Sequence, residues 1–264
     1  MNLQLLVSVM DADAHELVEK MNIATDAIIV NQCDTYGYEE FCHRGRQIRF
    51  FSMKERGVGL SRNHALLRAD QEISLFSDED IVYQDGYEEK VCTAFQEHPE
   101  ADMILFNFQV NEERRTYHNT AWKQVHRYNC GRYPTFCFAI RTERMHQINV
   151  TYSLLFGGGA RYSNGEDSLF IRECIRRGLK VYTSPAVIGT EEGRPSTWFR
   201  GYTEKFFYDR GVLYHYLYGK VAVPMAIQFL IRHKNLMCQE IPLGKAYQLM
   251  QKGMKSQSRK HRKS

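Results

Sequence analysis

The sequence predicts an α/β fold: a mostly parallel sheet flanked by helices, followed by a C-terminal helical extension. Three observations carry this. Apolar runs alternate with helical patterns through the first 110 residues, and such continuous runs belong to parallel sheets covered on both faces. From Trp198 onward an aromatic-rich helical texture replaces the alternation. The chain has 264 residues and is 43% hydrophobic, enough for one large core with an appendage.

The elements follow in order. Leu3 to Val9 is a compact apolar run and reads as a first strand. Asp13 to Met21 has helical spacing. Ala27 to Val30 is a second buried strand, ending in the polar turn Asn31-Gln32-Cys33-Asp34, and Ile48 to Phe51 is a third. Gly57-Val58-Gly59 breaks the chain before a helix from Leu60 to Ala69. Ile73 to Phe76 is a fourth strand; Gly86 to His98 is helical and stopped by Pro99; Met103 to Val110 is another strand. The stretch from 111 to 159 is less regular, with a strand at Phe136 to Arg141 and a helical turn at Thr142 to Gln147. Gly157-Gly158-Gly159 reads as a flexible loop. Asp167 to Arg177 is a helix closed by Gly178. Lys180 to Ser184 is a strand that ends at Pro185. Phe199 to Tyr218 and Val221 to Arg232 are helical patterns interrupted by Gly219 and Pro224, and an amphipathic, then basic, segment follows Pro242. The expected divisions are 1–197 for the α/β domain, 198–251 for the helical extension and 252–264 for a basic tail.

Charge is unevenly placed. The formal net charge is +4, and six Lys and Arg fall in residues 252 to 264 with no acid among them. The remaining 29 of the 35 basic residues stand against 31 acidic ones, so the body offers no platform for nucleic acid. Seven cysteines without a CxxC pair argue against a zinc site or disulfide framework and fit a reducing cytosol. The N-terminus has no secretory pattern, and no apolar stretch is long enough to span a bilayer. The aromatic helices and the basic tail suit a peripheral contact with an anionic membrane surface, at the inner face; core helices with a solubilising tail are the alternative, and RNA binding by the tail is a third.

Ser77-Asp78-Glu79-Asp80 directly follows the fourth strand. Ligands of α/β folds bind at the carboxyl ends of strands. Asp78 and Asp80 there are hard oxygen donors suited to Mg²⁺ or Mn²⁺, which takes one or two carboxylates plus substrate phosphates. An acidic turn is the plainer reading. Asp78-Glu79-Asp80-Ile81-Val82 also matches the DxDxV nucleophile motif of haloacid-dehalogenase-like phosphatases, which carry it on the first strand rather than the fourth. A second acidic pair, Glu166-Asp167, opens a helix after the glycine-rich loop. It is either a helix-start pair favoured by the dipole or a general base for an acceptor hydroxyl. Arg62, near a helix start, suits a phosphate. The amides of Asn31 and Gln32 suit a base edge. Arg194, in Arg194-Pro195-Ser196-Thr197-Trp198, sits in a loop able to close over a diphosphate. Each of these three also reads as ordinary surface, turn or linker.

Taken together the motifs resemble inverting glycosyltransferases of family 2, which have the GT-A (Rossmann-like) fold. Gly57-Val58-Gly59-Leu60-Ser61-Arg62-Asn63-His64-Ala65 resembles that family's G-x-x-x-A-R-N-x-G/A helix start. Phe76 to Asp80 resembles its L-D-x-D strand end, and Gly165 to Phe170 its G-E-D-x-D-F motif. The resemblance implies that Asp78 and Asp80 hold the metal and the donor, that Asp167 is the base with Glu166 orienting the acceptor, and that Arg62 faces the nucleotide. Ser8, Met10, Asn31, Gln32 and Arg194 would complete the nucleotide contacts. The family's usual P-x-Y-N and D-D-G-S segments are replaced by Val9-Met10-Asp11-Ala12 and Asn31-Gln32-Cys33-Asp34. The implied activity is transfer of a sugar from a nucleotide-diphosphate donor of UDP type to a hydroxyl of a glycan or lipid-linked acceptor, as in surface-polysaccharide synthesis. A phosphatase, or a non-catalytic sugar-nucleotide or membrane-binding protein, is the alternative.

Overall fold

A computed structural model describes residues 1–110, 117–193 and 201–260, with side chains to residue 257. The first strand, β1 (Leu3–Met10), runs through the middle of the molecule, and its apolar side chains are buried on both faces. α1 (Ala14–Lys20) follows; Asp13 caps it by accepting from the backbone N–H groups of His15 and Glu16. β2 (Asp26–Gln32) and β4 (Arg46–Met53) extend the sheet on one side, and β5 (Ile73–Asp78) lies on the other. The β1–β2, β2–β4 and β1–β5 ladders are all parallel, so β1, β2 and β5 end together. α2 (Val58–Arg68) covers β1 and β2.

The full order is β3-β4-β2-β1-β5-β9-β7-β10-β6, with β8 on β10. β7 (Met103–Gln109) and β10 (Val181–Glu191) form a second parallel ladder. β9 (Phe138–Arg141) lies between β5 and β7, antiparallel to both. The edges are also antiparallel: β3 (Gly37–His43) pairs with β4, and β6 (Ile81–Tyr83) and β8 (Lys123–Gln124) pair with β10. α3 (Tyr87–Glu97), α4 (Thr142–Ile148) and α5 (Glu166–Arg176) complete the flanks. The predicted α/β sheet with flanking helices is present.

Four details of the elements are not apparent from the sequence. β3 is mostly exposed, so it carries no apolar run to announce it. β10 runs past Pro185 to Glu191, because the ladder shifts register between Thr183 and Val187; a strand admits proline at such a bulge. The glycine-rich loop is held rather than free: Gly157 N–H donates to Tyr162 O at 3.0 Å, and Val58 N–H donates to Gly158 O at 3.1 Å. α8 (Leu243–Lys260) runs across residue 252 and buries Met254 and Gln257 within the stretch read as a basic tail.

α6 (Glu204–Tyr218), α7 (Ala222–Met237) and α8 pack into their own apolar cluster. Pro224 lies in the first turn of α7, where a missing N–H costs nothing, and so does not interrupt it. The cluster is not a detached appendage: Phe156 and Tyr162, from the loop before α5, belong to it. Backbones of α6 and α8 touch at two glycines. A Cβ on Gly211 would lie 2.1 Å from Met250 O, and one on Gly253 would lie 2.2 Å from Tyr208 O.

Candidate active site

The two acidic motifs, distant in sequence, meet at one guanidinium. Arg62 stands on the first turns of α2, which place it over the ends of β1 and β5. Its Nη2 donates to both oxygens of Asp78, at 2.9 and 3.2 Å. Its Nη1 donates to Asp167 Oδ1 at 3.0 Å and to Glu166 Oε1 at 3.3 Å. Tyr152 lies under the guanidinium, 5.4 Å from ring centroid to Cζ, and stacks in turn on Phe170 at 3.8 Å. Arg62 is 4% exposed. Burial alone would weaken its charge, but the carboxylates of Asp78, Asp167 and Glu166 outweigh this and hold its pKa above the ordinary value. Arg62 therefore clamps protein carboxylates, with both Nη atoms engaged inside the site.

The acids respond unequally. Burial, with Asp167 next to it, pushes the Glu166 carboxyl up to about 7, against the opposing pull of Arg62. Asp167 is also raised, chiefly by burial, while Arg62 and the hydroxyl of Thr135 restrain the rise. Thr135 donates to Asp167 Oδ1 from the short turn Thr135–Cys137. The side chain of Asp167 is 26% exposed and that of Glu166 only 12%. Neither carboxylate caps α5, whose N-cap Gly165 makes no side-chain hydrogen bond. They point at Arg62 and Thr135 instead, so helix capping does not account for the pair.

Backbone shape keeps Glu166 in place. Gly157 has φ +103°, and a Cβ there would lie 2.8 Å from Glu166 Cδ, so only glycine lets the loop pass this closely. From the other side Leu213 of α6 closes over Gly165, 2.5 Å from where its Cβ would be. Asp209, one turn earlier in α6 and buried, accepts from Ser163 N–H at 3.0 Å and Ser163 Oγ–H at 3.1 Å, and is paired with Lys205. α6 thus fixes the loop that delivers Glu166 and Asp167.

Not every expected contact gathers here. Ser8 is buried, its Oγ 3.1 Å from Ser61 Oγ. Met10 N–H donates to Glu79 Oε2 at 3.1 Å. Asn31 is buried and turns its amide on the backbone of Ala12, accepting at 3.1 Å and donating at 3.3 Å. Gln32 accepts from Gly57 N–H at 2.7 Å. These two amides tie the loops after β1 and before α2 together. The polar surface beside them is instead Asp11, Asp34 and Arg56, where Arg56 donates to both acids. An open cleft continues from Arg56 past Leu60 to Phe156 and Gly159. Arg194 lies outside the described residues.

Asp78 ends β5 and Asp80 follows it; the Asp80 carbonyl accepts from Glu192 N–H at 2.7 Å. Among the described residues no group of three or more ligating side chains forms a closed metal cage. Two hard carboxylates at a strand end still fit a Mg²⁺-like ion that draws its other ligands from substrate phosphates. Each Asp78 oxygen keeps lone-pair capacity beyond the bond from Arg62.

Comparison with known proteins agrees with this layout. S. aureus TarS residues 1–349, in complex with UDP-GlcNAc, superposes with a TM-score of 0.62 at 15% identity, over 91% of this chain and 74% of that one. The longer S. aureus TarS chain gives 0.60 at 15% identity, with 46% of its length covered. The mannosyltransferase PcManGT from Pyrobaculum calidifontis, in complex with GDP-Man and Mn²⁺, gives 0.57 at 12% identity over 98% and 75%. At these identities the likeness is one of fold, that of GT-A. No curated protein matches the sequence. The family description "Glycosyl transferase family 2" matches residues 15–160, a stretch that contains Arg62, Asp78 and Asp80 and stops just short of Glu166. That match spans more than half of the sequence, and the chain belongs to glycosyl transferase family 2 and is a glycosyltransferase.

Proposed function

We propose that the protein is an inverting, metal-dependent glycosyltransferase that moves a sugar from a nucleoside-diphosphate donor of UDP type to a hydroxyl of a glycan or lipid-linked acceptor. The observation that carries this reading is the clamp on Arg62, which holds a strand-end carboxylate and a helix-start carboxylate pair at one point. The ligands bound by the fold's neighbours, UDP-GlcNAc in one and GDP-Man with Mn²⁺ in another, support the donor class.

The acceptor oxygen attacks the anomeric carbon, the bond from that carbon to the diphosphate breaks, and the hydroxyl proton passes to Asp167. Asp167 is the better placed of the pair, being the more open, with Arg62 and Thr135 restraining the rise that burial gives its carboxyl. Glu166, more buried and with its carboxyl raised by burial, orients the acceptor. Held by Asp78 and Asp80, Mg²⁺ or Mn²⁺ would supply positive charge to the leaving diphosphate. One displacement suffices, so no covalent nucleophile is required. A phosphatase would need Asp78 as nucleophile, yet both of its oxygens are engaged by Arg62.

Residues 1–197 make the catalytic domain in this reading, with the following helices serving the acceptor. The site of action is the cytoplasmic face of a membrane, approached peripherally; no helix among the described residues is long and apolar enough to cross one. The test is a panel of nucleotide sugars incubated with Mn²⁺, with Mg²⁺ and with EDTA. At least one donor should lose its sugar in metal and not in EDTA, and a panel without turnover under any condition would sink the assignment.

A further inference from the structure

Arg210 in α6 is a partly buried cation that the chemistry above does not use. Its guanidinium lies over two rings, 5.2 Å from the centroid of Phe206 and 5.3 Å from that of Phe229 in α7. Tyr202, Tyr214 and Tyr218 surround it, and burial lowers its pKa. Its Nε is sealed from solvent without a hydrogen-bond partner. Arg210 makes no ion pair with a carboxylate among the described residues, although α6 carries Asp209 immediately before it; Asp209 turns the other way, to Lys205 and Ser163. His233 is tilted against Phe229, ring centroids 5.0 Å apart, and its pKa is lowered by burial and then by the charges of Arg232 and Arg210.

An arginine whose Nε is sealed and which has no anion is costly, and the two neighbouring rings offset only part of that cost. The fork of N–H groups matches a phosphate, and the flanking rings match an apolar chain leaving it. The place is also connected to the reaction. Tyr218 and Ser168 both approach Gly131, at 3.7 and 3.6 Å from where its Cβ would be, and Ser168 follows Asp167 directly. Arg62 and Asp78, where the donor is read, meet Asp167 from the β5 side.

We propose that Arg210 and its ring of Phe206, Phe229, Tyr214 and Tyr218 form a second anion site, which binds the phosphate or diphosphate group of the acceptor. This rests on the acceptor reading above and deepens it: the acceptor carries a phosphate ester near the hydroxyl that is glycosylated.

The experiment measures binding to the full chain by calorimetry, without sugar transfer. The probes are inorganic diphosphate, a short-chain isoprenyl diphosphate, and UDP with Mn²⁺. Arg210→Gln should weaken the isoprenyl diphosphate by at least about tenfold, Arg210→Lys by less, and UDP by neither. Tighter binding of the isoprenyl probe than of inorganic diphosphate assigns a lipid-borne phosphate, and equal binding assigns a soluble phosphorylated acceptor. In the unmodified protein, the same probes should protect Arg210 from phenylglyoxal, read by peptide mass; this arm does not depend on a variant folding. A folded Arg210→Gln that binds both diphosphates as the wild type does, or reaction of Arg210 undiminished by either, would overturn the site. Diphosphate binding at Arg210 in a protein that turns over no nucleotide sugar would leave this site standing and remove only the transferase reading.

Discussion

Arg62 has its three carboxylate partners within one hydrogen-bond length and a tyrosine ring beneath it. Removing such a buried charge leaves its partners uncompensated, at a cost of about 3–5 kcal/mol. Glu166 gives the sharper test, because its carboxyl is raised to about 7, first by burial. A raised carboxyl favours the folded state while protonated. Its destabilising effect therefore grows as pH climbs from the unfolded value, near 4.5, through about 7, and is complete above that. Glu166→Gln should then gain stability relative to wild type between pH 5 and pH 8, by on the order of 1–3 kcal/mol. Denaturant melts at the two pH values measure it, and a difference that does not change with pH would contradict the raised carboxyl. Asp78, Glu166 and Asp167 were legible in the sequence because each sits at a recognisable boundary, a strand end or a helix start. Thr135 was not: a single hydroxyl in an irregular turn has no periodicity to mark it. For Asn31 and Gln32 the sequence is ambiguous, because an amide at a strand end serves a base or a nearby backbone equally well; here they bond the backbone of Ala12 and Gly57.

Elements were legible where burial was continuous. β1, β2, β5 and β7 each appear as an apolar run, and α5 as a helix ending before Gly178. β3 was hidden because it alternates almost nothing against solvent; only the tight turn at Arg44-Gly45, both at positive φ, marks its hairpin with β4. What the sequence also concealed is the dependence of the site on the extension, since Leu213 and Asp209 of α6 reach residues fifty positions earlier. α6 in turn rests on α8 through Gly211 and Gly253. Gly253→Ala would drive a methyl into the Tyr208 carbonyl, so the helices must part. The expected cost is about 1–3 kcal/mol, seen as a melting temperature lower by roughly 2–10 °C. Unchanged melting would show that the backbones do not meet there. If α6 supports the loop as described, transfer should fall further than the remaining folded fraction accounts for.

At the scale of the molecule, the extension presents a face to solvent. Val223, Ile227 and Ile231 of α7 are exposed at helical spacing, with Lys220 and Lys234 near the ends of the stripe. With the basic α8 this suits a shallow contact with anionic lipid. Binding to anionic vesicles and not to neutral ones should follow. It should weaken with salt as the Debye length drops from about 10 Å at 0.1 M to about 3 Å at 1 M. Ile227→Asp with Ile231→Asp should reduce it and leave donor hydrolysis in solution intact. Sedimentation with vesicles is the measurement, and a full-length protein that ignores anionic lipid at low salt would rule the contact out. Deleting residues 252 to 264 would be a poor substitute, because Met254 and Gln257 are packed within α8.

The central claim is that Asp167 removes a proton from an acceptor hydroxyl while Arg62, Asp78 and Glu166 hold the site in shape. Asp167→Asn keeps the shape and the bond from Thr135 and removes only the proton-accepting charge. The most direct measurement is sugar transfer by this variant, beside its affinity for the donor. Donor affinity should stay close to wild type and transfer should be slower by on the order of 10²-fold or more. Transfer at a rate near that of wild type would contradict it and leave Asp167 as a partner of Arg62 and nothing more.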